Sequence, residues 1–229
     1  MRLPTLLVLS FVLDVATGNR TAQATTDRVR NLPGVSFETR FEQFAGYLNS
    51  TDDSGPYQLH YWYIESQTSP ATDPLILYIS GVQCSSAYAM MMNIGPFRSY
   101  GEGKPLYENV FSWNKVANLL VIDPPGIGYS FNPNEELSDE TIATVIENAL
   151  TNFITMYPER ANNTLYLAGE GYASVYVTKI AYIILEKLKL GRSQMNLQGL
   201  SIGNGMLSAQ TELNTIVPMA YTHGFAGKE

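Results

Sequence analysis

The stretch Leu165-Tyr-Leu-Ala-Gly-Glu-Gly-Tyr-Ala-Ser174 decides the architecture of this chain. The alternating apolar residues from Leu165 read as a strand running into a core. A turn of small residues follows, and from Val175 apolar residues resume at helical spacing. Strand, sharp turn and helix put residue 171 at the apex, and residue 171 is a glycine.

Working outward, Pro74-Leu-Ile-Leu-Tyr-Ile-Ser80 and Asn118-Leu-Leu-Val-Ile-Asp123 are continuous apolar runs, as expected of strands buried on both faces. Tyr57-Gln-Leu-His-Tyr-Trp-Tyr-Ile64 is dense in aromatic β-formers. The polar stretch from Asn49 to Gly55 is expected to join two antiparallel strands. Ser138 reads as an N-cap, with Thr141 at the third helical position and apolar residues at helical spacing up to Tyr157-Pro158. A second helix is expected from about Tyr172 to Leu190, and Gln198-Gly-Leu-Ser-Ile-Gly203 is a last short strand. Strands alternating with helices predict an α/β fold, its mostly parallel sheet preceded by an N-terminal antiparallel hairpin.

The 229 residues suffice for one sizeable core. A net charge of −7 argues against nucleic acid, whose phosphates attract clustered Lys and Arg. Residues 1–24 read as a secretory signal peptide, with Arg2 as the positive n-region, an apolar run from Leu3 to Leu13 and cleavage expected about residues 18–24. The run is too short to span a bilayer, so no membrane span is expected after cleavage. The remainder, 25–229, reads as one domain. Sequons at Asn19, Asn49 and Asn162 fit the secretory route, extracellular or lysosomal. Cys84 is the single cysteine, either a small buried hydrophobe or half of a bond without its partner. Two separated histidines, His60 and His223, and that cysteine form no metal-ligand pattern, and no cofactor is expected.

Strand, sharp turn and helix is the setting of the nucleophile elbow, G-x-S-x-G, of α/β-hydrolases. Gly169-Glu-Gly-Tyr-Ala-Ser174 resembles the Gly-Glu-Ser-Tyr-Ala-Gly signature of the serine carboxypeptidases. Asn31-Leu-Pro-Gly34, Leu59-His-Tyr-Trp62, Cys84-Ser-Ser86, Gly95-Pro-Phe97, Ser112-Trp-Asn-Lys-Val-Ala-Asn118, Asp123-Pro-Pro-Gly-Ile-Gly-Tyr-Ser130, Gly203-Asn-Gly205 and Tyr221-Thr-His-Gly224 are similar to that family's other blocks, in the same order. The resemblance implies the N-terminal part of an α/β-hydrolase, ending after about the sixth strand.

The departures carry the functional expectation. Gly171 stands at the nucleophile position, and Ser174 replaces the glycine that ends the motif. Ser80 and Asn93 stand where the family has an Asn and a Glu that help bind the substrate's terminal carboxylate. Of that site Glu170 remains, with Tyr172 and Gly81 as oxyanion-side remnants. The resemblance places the catalytic Asp and His, and the partner of Cys84, beyond residue 229. Ser174 falls almost one helical turn beyond the apex, roughly 5 Å away at 1.5 Å rise per residue. Ser85 and Ser86 read as N-caps for a helix through Met90–Met92.

Three outcomes follow from these residues. One is a non-catalytic member of the family that binds a peptide or a protein C-terminus. Another is a serine-type carboxypeptidase acting in proteolysis, if a longer form exists. The third is a fragment whose exposed sheet edge, near Leu197 to Gly203, invites dimerisation or aggregation.

Overall fold

The computed structural model describes residues 19–53, 55–81, 85–101, 103–131 and 137–227. The signal-like run and Cys84 lie outside the described residues. A short helix α1 (Ala22–Thr26) precedes the hairpin β1 (Gln43–Asp52) and β2 (Gly55–Ile64). Then come β3 (Leu75–Ile79), α2 (Ser86–Met92), a two-stranded ribbon of β4 (Phe97–Arg98) and β5 (Tyr107–Glu108), and β6 (Asn118–Ile122). The chain continues through α3 (Asp139–Met156), β7 (Thr164–Glu170), α4 (Ala173–Lys189), β8 (Asn196–Gly203) and α5 (Ala209–Thr222).

One six-stranded sheet has the order β1-β2-β6-β3-β7-β8. β6, β3, β7 and β8 are mutually parallel, and the hairpin joins them antiparallel through β2. The apolar runs at 75–79 and 118–122 occupy the sheet centre, where both faces are covered. Leu77 and Leu120 meet Ile146, Leu150 and Phe153 of α3 and Val177 and Ile180 of α4 on one face. Tyr78 and Leu119 meet Met90 of α2, Trp62 and Phe97 on the other. Complete burial of one such side chain contributes about 1.5–3 kcal/mol.

The hairpin departs from expectation at Asn49. β1 continues to Asp52, so Asn49 lies within the strand. The polar run arises because β1 is an edge strand: Leu48 and Ser50 point inward while Tyr47, Asn49 and Thr51 face solvent. Its free backbone groups are met by other parts of the chain. The Ala45 N–H donates to the Asp27 carbonyl at 2.9 Å, the Asn49 N–H to Asn152 Oδ1 at 3.0 Å, and Asn148 Nδ2 to the Thr51 carbonyl at 2.8 Å.

Residues 20–27 are built into the fold. The Arg20 guanidinium reaches Glu42 (3.0 Å), Glu65 (3.0 Å) and Glu159 (2.9 Å). Thr21 caps α1, its N–H donates to the Met156 carbonyl, and Ala24 is fully buried. Arg160 closes the network, with Nη2 on Glu65 and Nε on the Tyr63 hydroxyl.

Candidate functional site

The elbow forms as its residues require. β7 ends at Glu170, Gly171 turns the chain at φ +61°, and α4 begins at Ala173. Gly169 lets the helix lie close on the strand: a Cβ there would sit 2.9 Å from Ala173 Cβ and 2.9 Å from Val177 Cγ2. A Cβ at Gly171 would meet nothing within 4 Å. The apex therefore has the backbone and the open space that a nucleophile uses, without its oxygen.

Gly81 lies against this apex. A Cβ at Gly81 would sit 3.1 Å from the Glu170 carbonyl oxygen and 3.7 Å from the Tyr172 nitrogen. The two remnants assigned to the oxyanion side, Gly81 and Tyr172, are thus brought together. The side chain of Tyr172 turns away, donating to Asp139 Oδ2 at 2.9 Å. That hydrogen bond to a carboxylate, helped by desolvation, raises the phenol's pKa. Ser80 is placed nearby, its N–H donating to Ser86 Oγ at 3.2 Å.

Glu170 is exposed at the mouth of a cavity of about 410 Å³ lined also by Tyr78, Asn93, Trp113, Ser201 and Gly203. Burial raises the pKa of the Tyr78 hydroxyl, the Glu170 carboxylate raises it further, and a hydrogen bond with Asn93 opposes both. The position expected to have lost its acid, Asn93, and the one that kept it, Glu170, therefore share one phenol. This arrangement offers hydrogen bonds and a single acidic group to an entering polar terminus.

The substitute serines are not aimed at the apex. Ser174 is fully buried in the first turn of α4, with its hydroxyl on the Met206 carbonyl at 3.3 Å. Ser85 caps α2 as expected. It also belongs to a cluster that the sequence reading missed, centred on Asp123 at the C-terminal end of β6. Both Asp123 carboxylate oxygens lie close to Ser85 Oγ (2.9 and 3.1 Å). The Ser86 N–H donates to Oδ1 at 2.6 Å and the Tyr129 N–H to Oδ2 at 3.2 Å. His60 Nδ1 is 3.3 Å from Oδ2. Burial would raise the Asp123 pKa, but His60, the Tyr129 N–H and the Ser85 hydroxyl together hold it below the ordinary value.

Serine, histidine and aspartate meet here in an order unsuited to nucleophilic catalysis. The carboxylate stands between the other two, so the serine donates to the acid and the imidazole is not its base. The cluster instead fixes the N-terminus of α2 and the 124–130 turn. Gly128 (φ +58°) is part of that fit, since a Cβ there would overlap the Asp123 carboxylate and the Ser85 hydroxyl. A second cavity, of about 510 Å³, adjoins the cluster between His60, Trp62, Tyr88, Met92 and Tyr129. Met90 is core, whereas Met91 and Met92 line this cavity.

His223 ends α5, its Nδ1 2.9 Å from the Met219 carbonyl oxygen. Among the described residues no three His, Cys, Asp or Glu side chains converge as a metal site. The sequon residues Asn19, Asn49 and Asn162 are all exposed.

A family model for serine carboxypeptidase matches residues 33–229. The chain is 35% identical over 225 residues to the lysosomal protective protein of Mus musculus, covering 96% of this chain and 46% of that protein. It is 37% identical over 206 residues to the serine carboxypeptidase ctsa-4.1 of Caenorhabditis elegans, covering 88% of this chain and 43% of that protein. The structure superposes on Kex1(Δ)p, a prohormone-processing carboxypeptidase from Saccharomyces cerevisiae, with a TM-score of 0.80 at 25% identity, covering 90% of this chain and 48% of that one. The chain spans about half the length of the relatives it matches. The elbow, the sheet order and these likenesses together make it a member of the serine carboxypeptidase family with an α/β-hydrolase fold.

Proposed function

We propose that this chain is a non-catalytic serine carboxypeptidase homologue of the secretory pathway, and that the Glu170 cavity receives the C-terminal end of a peptide or partner protein. One observation carries the reading: the apex of an intact elbow is Gly171, at φ +61° with no side chain and open space in front of it. Acyl transfer needs an activated nucleophile within bonding reach of the carbonyl. Loss of a single triad member leaves only ~10³–10⁴-fold acceleration over water. The neighbourhood of Gly81, Tyr172, Tyr78 and Glu170 persists, and supports binding without turnover.

The secretory assignment rests on the signal-like N-terminus, the exposed Asn49 and Asn162 sequons, and a relative named for the lysosome. Removal of the leader ahead of Arg20 suits the ion pairs that this residue makes.

The test combines a serine-directed fluorophosphonate probe with peptide titration on the full chain secreted from eukaryotic cells. The expected result is no covalent label, together with binding, at acidic pH where two facing carboxyl groups can share one proton, of peptides bearing a free C-terminal carboxylate in preference to their C-terminal amides. A label abolished by mutating one serine would establish the second reading, a serine-type exopeptidase. Absence of any peptide binding by folded protein would overturn the binding role.

A further inference from the structure

The antiparallel register of the hairpin sorts its side chains onto two faces. Leu48, Ser50, Tyr57 and Leu59 are buried. On the other face lie Tyr47, Asn49 and Thr51 of β1, with their cross-strand partners His60, Gln58 and Pro56 of β2. Beyond β2 one more residue joins this row. The Phe131 N–H donates to the Gln58 carbonyl at 3.0 Å, and the two residues form an antiparallel bridge. Asn49, Gln58 and Phe131 therefore stand side by side on one outward face, spanning about 10 Å at about 4.8 Å per strand.

This face is aromatic and uncharged. Phe131 is 63% and Tyr47 40% exposed, and their ring centroids are 5.9 Å apart. Asn49, Thr51, Pro56, Gln58 and Phe131 line a trough of about 600 Å³, and none of them is ionisable. A saccharide suits both properties. Its C–H hydrogens, slightly positive, meet the negative face of an aromatic ring, while its hydroxyls bond to neutral amide and hydroxyl groups such as those of Gln58 and Thr51. A peptide strand is not accepted here, because Asn148 and Asn152 already bond the edge backbone at Thr51 and Asn49.

The sequence itself supplies the saccharide. Asn49 and Thr51 are the first and third residues of the sequon Asn49-Ser-Thr51, so its acceptor nitrogen lies in the wall of the trough. On the secretory route that Nδ2 bonds to C1 of N-acetylglucosamine, the C1–O bond to the lipid diphosphate donor breaks, and Nδ2 loses one proton. We propose that Tyr47, Gln58 and Phe131 form a seat for the first sugars of the glycan carried by Asn49, with the apolar faces of those sugars on the two rings. The tether holds the sugar at an effective concentration of about millimolar or above, so weak stacking suffices to keep it in place. The inference rests on the secretory reading and is independent of the Glu170 cavity.

The test uses the full chain secreted from eukaryotic cells that keep their glycans in the oligomannose form. Release by an endoglycosidase that cuts between the first two sugars is timed at Asn49 and at Asn162, on native and on denatured protein. At Asn49 release from native protein is expected to be roughly tenfold slower than from denatured protein, the retardation that two ring contacts supply. Phe131→Ser and Tyr47→Thr, each checked for a cooperative melt, are expected to abolish most of that slowing and to leave Asn162 unchanged. Equal rates in the two states at Asn49 would overturn the inference, and would also be the result if another segment or a partner occupied the rings. A slowing that both variants retain would overturn it too, assigning the effect to hindrance at the strand. An unglycosylated Asn49 beside a glycosylated Asn162 would strike the seat alone. A chain neither secreted nor glycosylated would overturn the secretory reading with it.

Discussion

The backbone N–H of Gly171 donates to the carbonyl of Gly203 across 2.9 Å, stitching the elbow's apex to the end of the neighbouring strand. The turn is thus held from two sides, by β8 and by the first turn of α4, where the Ser174 N–H returns to the Gly171 carbonyl at 3.1 Å. Its conformation belongs to the framework and does not depend on any side chain at position 171.

Gly171→Ser is therefore expected to fold. Nothing lies within 4 Å of the new Cβ, but φ +61° is costly for a side-chain-bearing residue. A loss of about 1–2 kcal/mol is expected, read as a lower urea midpoint with an unchanged m-value. A stability equal to wild type would mean that the turn relaxes.

Asp123 sets an acid limit on stability. Its folded pKa lies below the unfolded value, so the contribution is complete above about pH 4 and is lost as pH falls through the folded pKa. Asp123→Asn should cost about 2 kcal/mol at neutral pH, since the Ser85 hydroxyl and the Ser86 and Tyr129 N–H groups donate to the carboxylate and hydrogen bonds to charged groups are worth about 1.5–3. It should also flatten the decline in Tm below pH 4. A steep acid limb persisting in the variant would assign it to another carboxylate.

Arg20 anchors the N-terminal arm against Glu42, Glu65 and Glu159. Arg20→Met should lower stability by about 2 kcal/mol, since hydrogen bonds to charged groups are worth about 1.5–3. Glu65 keeps Arg160 as partner and limits the loss. N-terminal sequencing of the secreted protein is expected to find Arg20 retained. A first residue of Gln23 or Thr25 would show that the arm is dispensable.

Asn49 and Asn162 are exposed on β1 and on the turn before β7. Each is expected to carry a glycan, so that Asn49→Gln and Asn162→Gln each remove one endoglycosidase-sensitive mass step. Unchanged mass in either variant would remove that site.

The apolar runs at 75–79 and 118–122 and the Ser138 cap were legible because burial on both faces and helix capping leave local signatures. The position of Glu170, Gly171 and Tyr172 at the elbow was legible for a related reason: a strand-turn-helix apex is written in contiguous residues. The Asp123 cluster was hidden because Ser85, His60 and Asp123 come from three separate segments, and only the sheet register brings them together. The helix α5 was missed because Pro218 lies inside it and its apolar residues bury nothing. The turn after β1 was placed too early because polar residues on a solvent-facing edge look like loop.

The cover on the β1 edge also governs whether the sheet can grow on that side. A sheet open at both ends could add copies indefinitely and grow into a filament. With Asn148 and Asn152 already occupying the polar groups of Asn49 and Thr51, the β1 end cannot act as a template. The side chains that cover this edge come from α3 of the same chain, so growth of the sheet by strand addition is blocked on the β1 side without help from any partner.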